Sequence, residues 1–299
     1  MNHFRMRGLA LALLAAAALL GGTAVAAMMA PPSVSITSPA MGATIRTADI
    51  PVALAVRNFH IECTSTGKTT APMGEGHIHA MVDGMDMAHL TNVACGTSFT
   101  ISGQGLKPGR HKLAVVLAND AHAMNSLPAM TWFNYRPSTA QPLPSPIGGT
   151  PSVSIVSPRE GATVGRSFNL VVAVHNFQLS CNLECKPDVR GWGHLHVFVQ
   201  QQGETTASPS TPMIAMMKTP QGMMMARRFM QQAHMTMAQM QPMMKMAIPG
   251  MIGMPCTTTV PVNLSTWHSG AARIMVQLAN DDHMPTMGAK PALISVKVK

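Results

Sequence analysis

Gly76-His77-Ile78-His79-Ala80-Met81-Val82 occurs a second time as Gly193-His194-Leu195-His196-Val197-Phe198-Val199, and this pair of segments decides how the chain reads. Apolar and β-branched residues dominate both, which predicts strands rather than helices. On a strand, residues two apart share a face. His77 and His79 are thus expected side by side, and so are His194 and His196. Two imidazoles on one rigid face form either half of a metal site or a hydrogen-bonded polar stripe.

Working outward from the two segments shows that they belong to a duplication. Pro32-Ser33-Val34-Ser35-Ile36 returns as Pro151-Ser152-Val153-Ser154-Ile155, and Gly42-Ala43-Thr44 as Gly161-Ala162-Thr163. Asn58-Phe59 matches Asn176-Phe177, Cys63 matches Cys181, and Cys95 matches Cys256. Leu117-Ala118-Asn119-Asp120-Ala121-His122 matches Leu278-Ala279-Asn280-Asp281-Asp282-His283. Self-similarity this long marks an internal repeat. Each copy is a series of short β-rich runs separated by Gly, Pro, Asn and Asp turns, with no helical period between them. That pattern predicts an all-β chain of two immunoglobulin-like antiparallel β-sandwiches. The first repeat spans 31–137, a Pro/Ser/Gly-rich linker 138–150, and the second repeat 151–299.

At 299 residues the chain is long enough for two cores. Hydrophobic residues make up 46% but aromatic residues only 4%, so the cores must be built from Val, Ile, Leu, Ala and Met. The formal net charge of +9 is spread over a chain with only 11% charged residues. With no basic cluster and aromatic stacking residues scarce, nucleic-acid binding is not expected. Residues 1–26 read as a secretory signal: Arg5 and Arg7, an apolar run over 9–20, then Ala24-Val25-Ala26. No lipoprotein Cys follows it, and no other apolar run predicts a transmembrane segment in the mature chain. A periplasmic or secreted location is therefore expected, where disulfides are permitted. Repeat equivalence pairs Cys63 with Cys95 and Cys181 with Cys256; Cys185 is left over or exchanges places with Cys181.

The second repeat carries an insert over 203–254 that holds about half of the 29 methionines. A helix is expected from 223 to 241, because that stretch lacks Pro and Gly and Pro242 would end it. A thioether is a soft, neutral ligand suited to Cu(I). Met213-x-x-Met216, Met237-x-x-Met240 and Met243-x-x-Met246 set pairs within reach of one ion. The alternative is an adaptable apolar surface for a partner, such as an envelope protein. This insert is similar to methionine-rich segments of periplasmic copper-handling proteins.

Gly76-His77-x-His79-x-x-Val82-Asp83-Gly84, then Leu106-x-Pro108-Gly109-x-His111-x-Leu113, then Asp120-x-His122 resembles small secreted bacterial immunoglobulin-like modules of unassigned function. The resemblance implies a sandwich fold and an extracytoplasmic location, and no particular activity. The second repeat departs from it: Ala272 stands where His111 stands, and no Asp-Gly follows the strand.

Three histidine positions recur in both repeats: His77, His79 and His122 in the first, His194, His196 and His283 in the second. Three imidazoles, with Asp120 or Asp281 as a ligand or orienting partner, suit copper, with zinc as an alternative occupant. Asp83, Asp86 and His89 are a candidate polar loop of the first repeat alone. Carboxylates are few, and neither a nucleophile elbow nor a phosphate-cradling loop is visible, so an enzyme is not expected. The two remaining readings are an extracytoplasmic copper-binding protein and a structural or adhesion-type module whose insert docks a partner. Convergence of His77, His79 and His122 to ligand distance separates them.

Overall fold

Alternation of apolar and polar residues along most of the outer strands sets the architecture. The computed structural model describes residues 30–63, 74–139, 141–201, 223, 224, 227, 231 and 250–299. The first repeat contains β1 (Ser33–Ser38), β2 (Thr44–Ile45), β3 (Ile50–Arg57), β4 (His60–Ile61), β5 (Glu75–Val82), β6 (Leu90–Ala94), β7 (Ser98–Ile101), β8 (Gly109–Ala118) and β9 (Ala129–Tyr135). A three-stranded sheet, β1-β3-β7, packs over a six-stranded sheet, β2-β9-β8-β5-β4, with β6 also paired to β5. Ile50, Val52 and Leu54 of the small sheet meet Ile78, Ala80, Val82, Leu113, Val115, Leu117 and Phe133 of the large one. Each Val, Leu, Ile or Phe among them, fully buried, contributes about 1.5–3 kcal/mol.

The second repeat has the same plan. Its strands are β10 (Ser152–Ser157), β11 (Thr163–Val164), β12 (Ser167–His175), β13 (Gln178–Leu179), β14 (Trp192–Gln201), β15 (Met251–Gly253), β16 (Thr259–Asn263), β17 (Gly270–Ala279) and β18 (Ala292–Val298). β10-β12-β16 faces β11-β18-β17-β14-β13, and β15 pairs with β14. Leu170, Val172, Leu195, Val197, Val260, Ile274 and Val276 form its core. The fold is thus all-β, two sandwiches of like topology. Cys63 bonds Cys95 and Cys181 bonds Cys256, leaving Cys185 as a free thiol.

Three features were not in the sequence reading. β6 is a strand, although Thr91 and Asn92 interrupt its apolar pattern. The short β4 and β13 run parallel to β5 and β14, against the antiparallel expectation for the sandwiches. The insert does not run free to residue 254: Met251–Gly253 returns to the sheet as β15, with Phe198 opposite Met251. It is the positional counterpart of β6, just ahead of the second Cys of its repeat. Of the expected helix over 223–241, residues 223, 224, 227 and 231 are helical, and the remainder lies outside the described residues. Met213, Met216, Met237, Met240, Met243 and Met246 lie outside them as well. Among the described residues no helix is long and apolar enough to cross a membrane.

Pro31–Lys299 form one compact unit, in which the two repeats touch. β5 is buried along both faces from Gly76 to Val82. Its outer face, with Met81, joins Ala114, Val116, Leu90 and Met124 in a second apolar layer, and Met254 of the other repeat packs against that layer. Cys185 packs against the first repeat's core from the segment between β13 and β14.

Candidate metal centre

The histidine strands run beside the ends of β8 and β17 at very close range. A Cβ on Gly76 would lie 2.2 Å from the Ala118 carbonyl oxygen, and one on Gly193 would lie 2.0 Å from that of Ala279. Both glycines also have a positive φ, +138° and +149°. Glycine is therefore needed just before each His-x-His pair, both for space and for backbone conformation. The closeness sets His77 opposite Ala118 and His194 opposite Ala279, at the strand ends from which the loop histidines depart.

Those loops are tight. The Asn119 side-chain oxygen accepts the N–H groups of Ala121 and Ala123, and the His122 N–H bonds the Asn119 carbonyl. In the second repeat the His283 N–H bonds the Asn280 carbonyl. Both loop histidines adopt left-handed backbone, φ +60° and +64°, which is uncommon outside glycine and is held by these bonds. The turn aims each ring back at its strand pair.

In the first repeat three ring nitrogens converge. His77 Nε2 lies 3.0 Å from His79 Nε2 and 3.1 Å from His122 Nδ1, and the third edge is 3.2 Å. Four-coordinate zinc with nitrogens at 2.0–2.1 Å has N···N edges of about 3.3 Å, so opening the triangle slightly would seat an ion. The second repeat repeats the arrangement more loosely. His194 Nε2 and His196 Nε2 are 3.0 Å apart, and the three ligand atoms of His194, His196 and His283 lie within 4.8 Å of one another.

Proton placement favours a cation over a network of hydrogen bonds. His122 Nε2 donates to the Met251 carbonyl at 3.1 Å, and His283 Nε2 donates to the Leu90 carbonyl at 2.7 Å. A neutral ring carries one N–H. Both loop histidines therefore present a bare Nδ1 lone pair to the triad. His77 Nδ1 and His79 Nδ1 are buried and make no hydrogen bond with any described group. If those atoms carry the proton, three lone pairs face one another; if they do not, two buried acceptors go unsatisfied, which is costly. An ion at the centre answers the first case by taking the three lone pairs as ligand bonds; the Nδ1–H groups of His77 and His79 are then buried donors without a partner among the described residues. Burial first, then the neighbouring rings, holds His77, His79 and His194 well below the usual imidazole range. Burial lowers His122 to about 4 and, with His283 and His122 nearby, His196 to about 3. His283 is lowered by burial too. All six rings are neutral at pH 7 and free to ligate.

The carboxylates lie behind the triads. Asp120 groups with Glu62 and Glu75. Glu184 sets its Oε1 3.9 Å from His194 Nδ1, beyond hydrogen-bond range. Burial first and Asp281 second raise Glu184 well above the ordinary carboxyl range. The candidate polar loop does not form one site: Asp86 pairs with His89 at 2.6 Å, while Asp83 pairs with His111 at 2.6 Å. Glu184 and the two carbonyls had no signature in the sequence.

No protein-family model and no curated protein matches the chain. Among solved structures it is similar to the fibronectin(III)-like modules of Clostridium thermocellum CbhA, at 12% identity over 89% of this chain and 94% of that one, TM-score 0.24. It is also similar to three N-terminal domains of the bacteriophage RB49 outer capsid protein Hoc, at 10% identity over 90% and 70%, TM-score 0.20. The four N-terminal Ig domains of Dscam1 isoform 7.44 align at 9% identity over 91% and 47%, TM-score 0.20. At these scores the likenesses support no inference, and the architecture stands on its own strand pairing.

Proposed function

We propose that the chain is an extracytoplasmic copper-binding protein, a chaperone, buffer or resistance component, with two three-histidine sites. The convergence of His77 Nε2, His79 Nε2 and His122 Nδ1 at 3.0–3.2 Å carries this reading, and the second triad supports it. Three neutral imidazoles suit Cu(II), with Zn(II) as the alternative occupant, and affinity order favours copper. Met213, Met216, Met237, Met240, Met243 and Met246 would supply Cu(I) with exchangeable soft ligands. The signal-like residues 1–26 and the two disulfides fit an oxidising compartment. Rings this deeply buried suit holding an ion rather than turning over a substrate. The rival reading, a spacer module with a docking insert, explains the sandwiches but gives six neutral histidines in two matched triads no task.

The test is metal retention by the purified full chain after dialysis. Two equivalents of Cu(II) beyond those held by a variant with all six histidines replaced by Ala are expected. Equal retention by the two proteins would exclude the histidine sites.

A further inference from the structure

Each triad is completed by the other repeat. His122 belongs to the first repeat, but the carbonyl that holds its Nε2–H is Met251, in β15 of the second. His283 belongs to the second repeat, but its carbonyl is Leu90, in β6 of the first. The donors are further tied in. Leu90 lies opposite Met81 on β6, which pairs with the strand carrying His77 and His79. Met251 lies opposite Phe198 on β15, which pairs with the strand carrying His194 and His196. The contacts form a closed ring: triad, strand, edge-strand carbonyl, loop histidine of the other triad, and back again.

We infer that the interface between the two repeats is a metal-locked clasp, in which an ion in either triad holds the repeats together through the loop histidine that the opposite repeat orients. This rests on the metal-binding reading. An ion on Nδ1 draws electron density from the ring and makes its Nε2–H a stronger donor to the carbonyl across the interface. The carbonyl in turn fixes the tautomer and the ring orientation that the ion requires. Loss of an outer-shell partner of this kind typically costs 10–100-fold in metal affinity. By reciprocity the bound ion disfavours separation of the repeats by the same factor. The clasp would therefore be loose without metal and shut with it.

The chain carries its own reporter. Cys185, in the second repeat, packs against the first repeat's core. Lys186 beside it lies along Gly105 of the first repeat. Cys185 is half-buried in the closed chain, and separating the repeats exposes its thiol further. Zinc is the suitable probe because it does not oxidise thiols. With the full chain, zinc retention and the rate of Cys185 alkylation by N-ethylmaleimide are measured on the same sample. The expected result is two ions retained and a rate lowered at least about 10- to 100-fold, the factor for one ion, with the two factors multiplying when both triads are loaded. A Cys185→Ser variant should still retain two ions. A combined His77→Ala, His194→Ala variant should lose the protection while keeping the thiol.

Two ions retained with an unchanged alkylation rate would overturn the clasp and leave the metal sites standing. No ion retained would overturn both. Undiminished protection in the double variant, or a lost ion in Cys185→Ser, would mean that the thiol itself takes the metal, and the clasp would again be wrong.

Discussion

The two repeats close the same turn with different chemistry. In the first, His111 donates Nε2–H to the Lys107 carbonyl at 2.8 Å and Nδ1–H to Asp83 at 2.6 Å. In the second, Ala272 stands at the position of His111, and Gln201 reaches the matching turn. Its amide donates to the His268 carbonyl at 2.7 Å and accepts the His268 N–H at 3.1 Å. One latch is ionic and titrates; the other is neutral and does not. Both repeats nevertheless keep their histidine triad. His111 therefore belongs to the fold of its repeat and not to the candidate metal centre, although the motif of the first repeat includes it.

The largest effect expected from breaking this comparison is at the triads. Replacing His77 and His79 with Ala should reduce retained metal from two ions to one, measured by elemental analysis after dialysis. The loss of affinity at that site should exceed the roughly 100-fold that an outer-shell partner is worth. Loss of both ions would show that the second triad does not stand alone.

Next come the glycines that precede the triads. Gly76→Ala and Gly193→Ala each place a Cβ against a carbonyl oxygen at a positive φ. Each should destabilise the protein by about 3 kcal/mol or more, read as a lower urea midpoint. The two should be comparably damaging: beyond the carbonyl oxygens, the new Cβ meets the Asn119 backbone at 2.8 Å in the first repeat and the Phe177 ring at 2.9 Å in the second.

The latches differ in their response to pH. Burial alone would lower His111, but the hydrogen bonds to Asp83 and to the Lys107 carbonyl outweigh it and raise it above the usual range. Burial likewise would raise Asp83, yet the His111 bond and the Lys112 N–H hold it below the ordinary carboxylate range. A raised imidazole contributes stability fully below its unfolded value, near 6.5, and loses that contribution as pH rises through the folded value. A lowered carboxyl contributes above its unfolded value and loses that contribution as pH falls through the folded value. The latch is thus strongest between the two. His111→Ala should cost about 1–2 kcal/mol at pH 5.5 and clearly less at pH 8.5, by urea unfolding, with solvent at half-exposed Asp83 reducing the effect. Gln201→Ala should cost a similar amount at both values.

The smallest effect is expected at Glu184. At 3.9 Å its carboxyl does not hydrogen-bond His194. Glu184→Gln should change zinc affinity at the second triad by less than about tenfold, the lower end of the outer-shell range. A loss near 100-fold would mean that the carboxyl closes on the ring when the ion binds.

Much of this was legible in the residues themselves. The period-2 rhythm placed His77 with His79 and His194 with His196, and the duplication singled out His122 and His283 as their companions. Repeat equivalence also paired the cysteines. What stayed hidden depends on tertiary approach. Convergence required left-handed backbone at His122 and His283, conformations that no residue type there announces. The orienting groups are backbone carbonyls, which every residue possesses, and they come from across an interface that no periodicity reports. β15 escaped notice because Met251–Gly253 reads as the tail of the insert until β14 is there to pair with it.

On the proposed reading, six histidines make two metal sites of three nitrogens each. X-ray absorption at the zinc edge of the full chain, loaded with two equivalents, tests it most directly. A first shell led by three imidazole nitrogens at about 2.0–2.1 Å is expected. A first shell of sulfur, or of oxygen without imidazole, would contradict it.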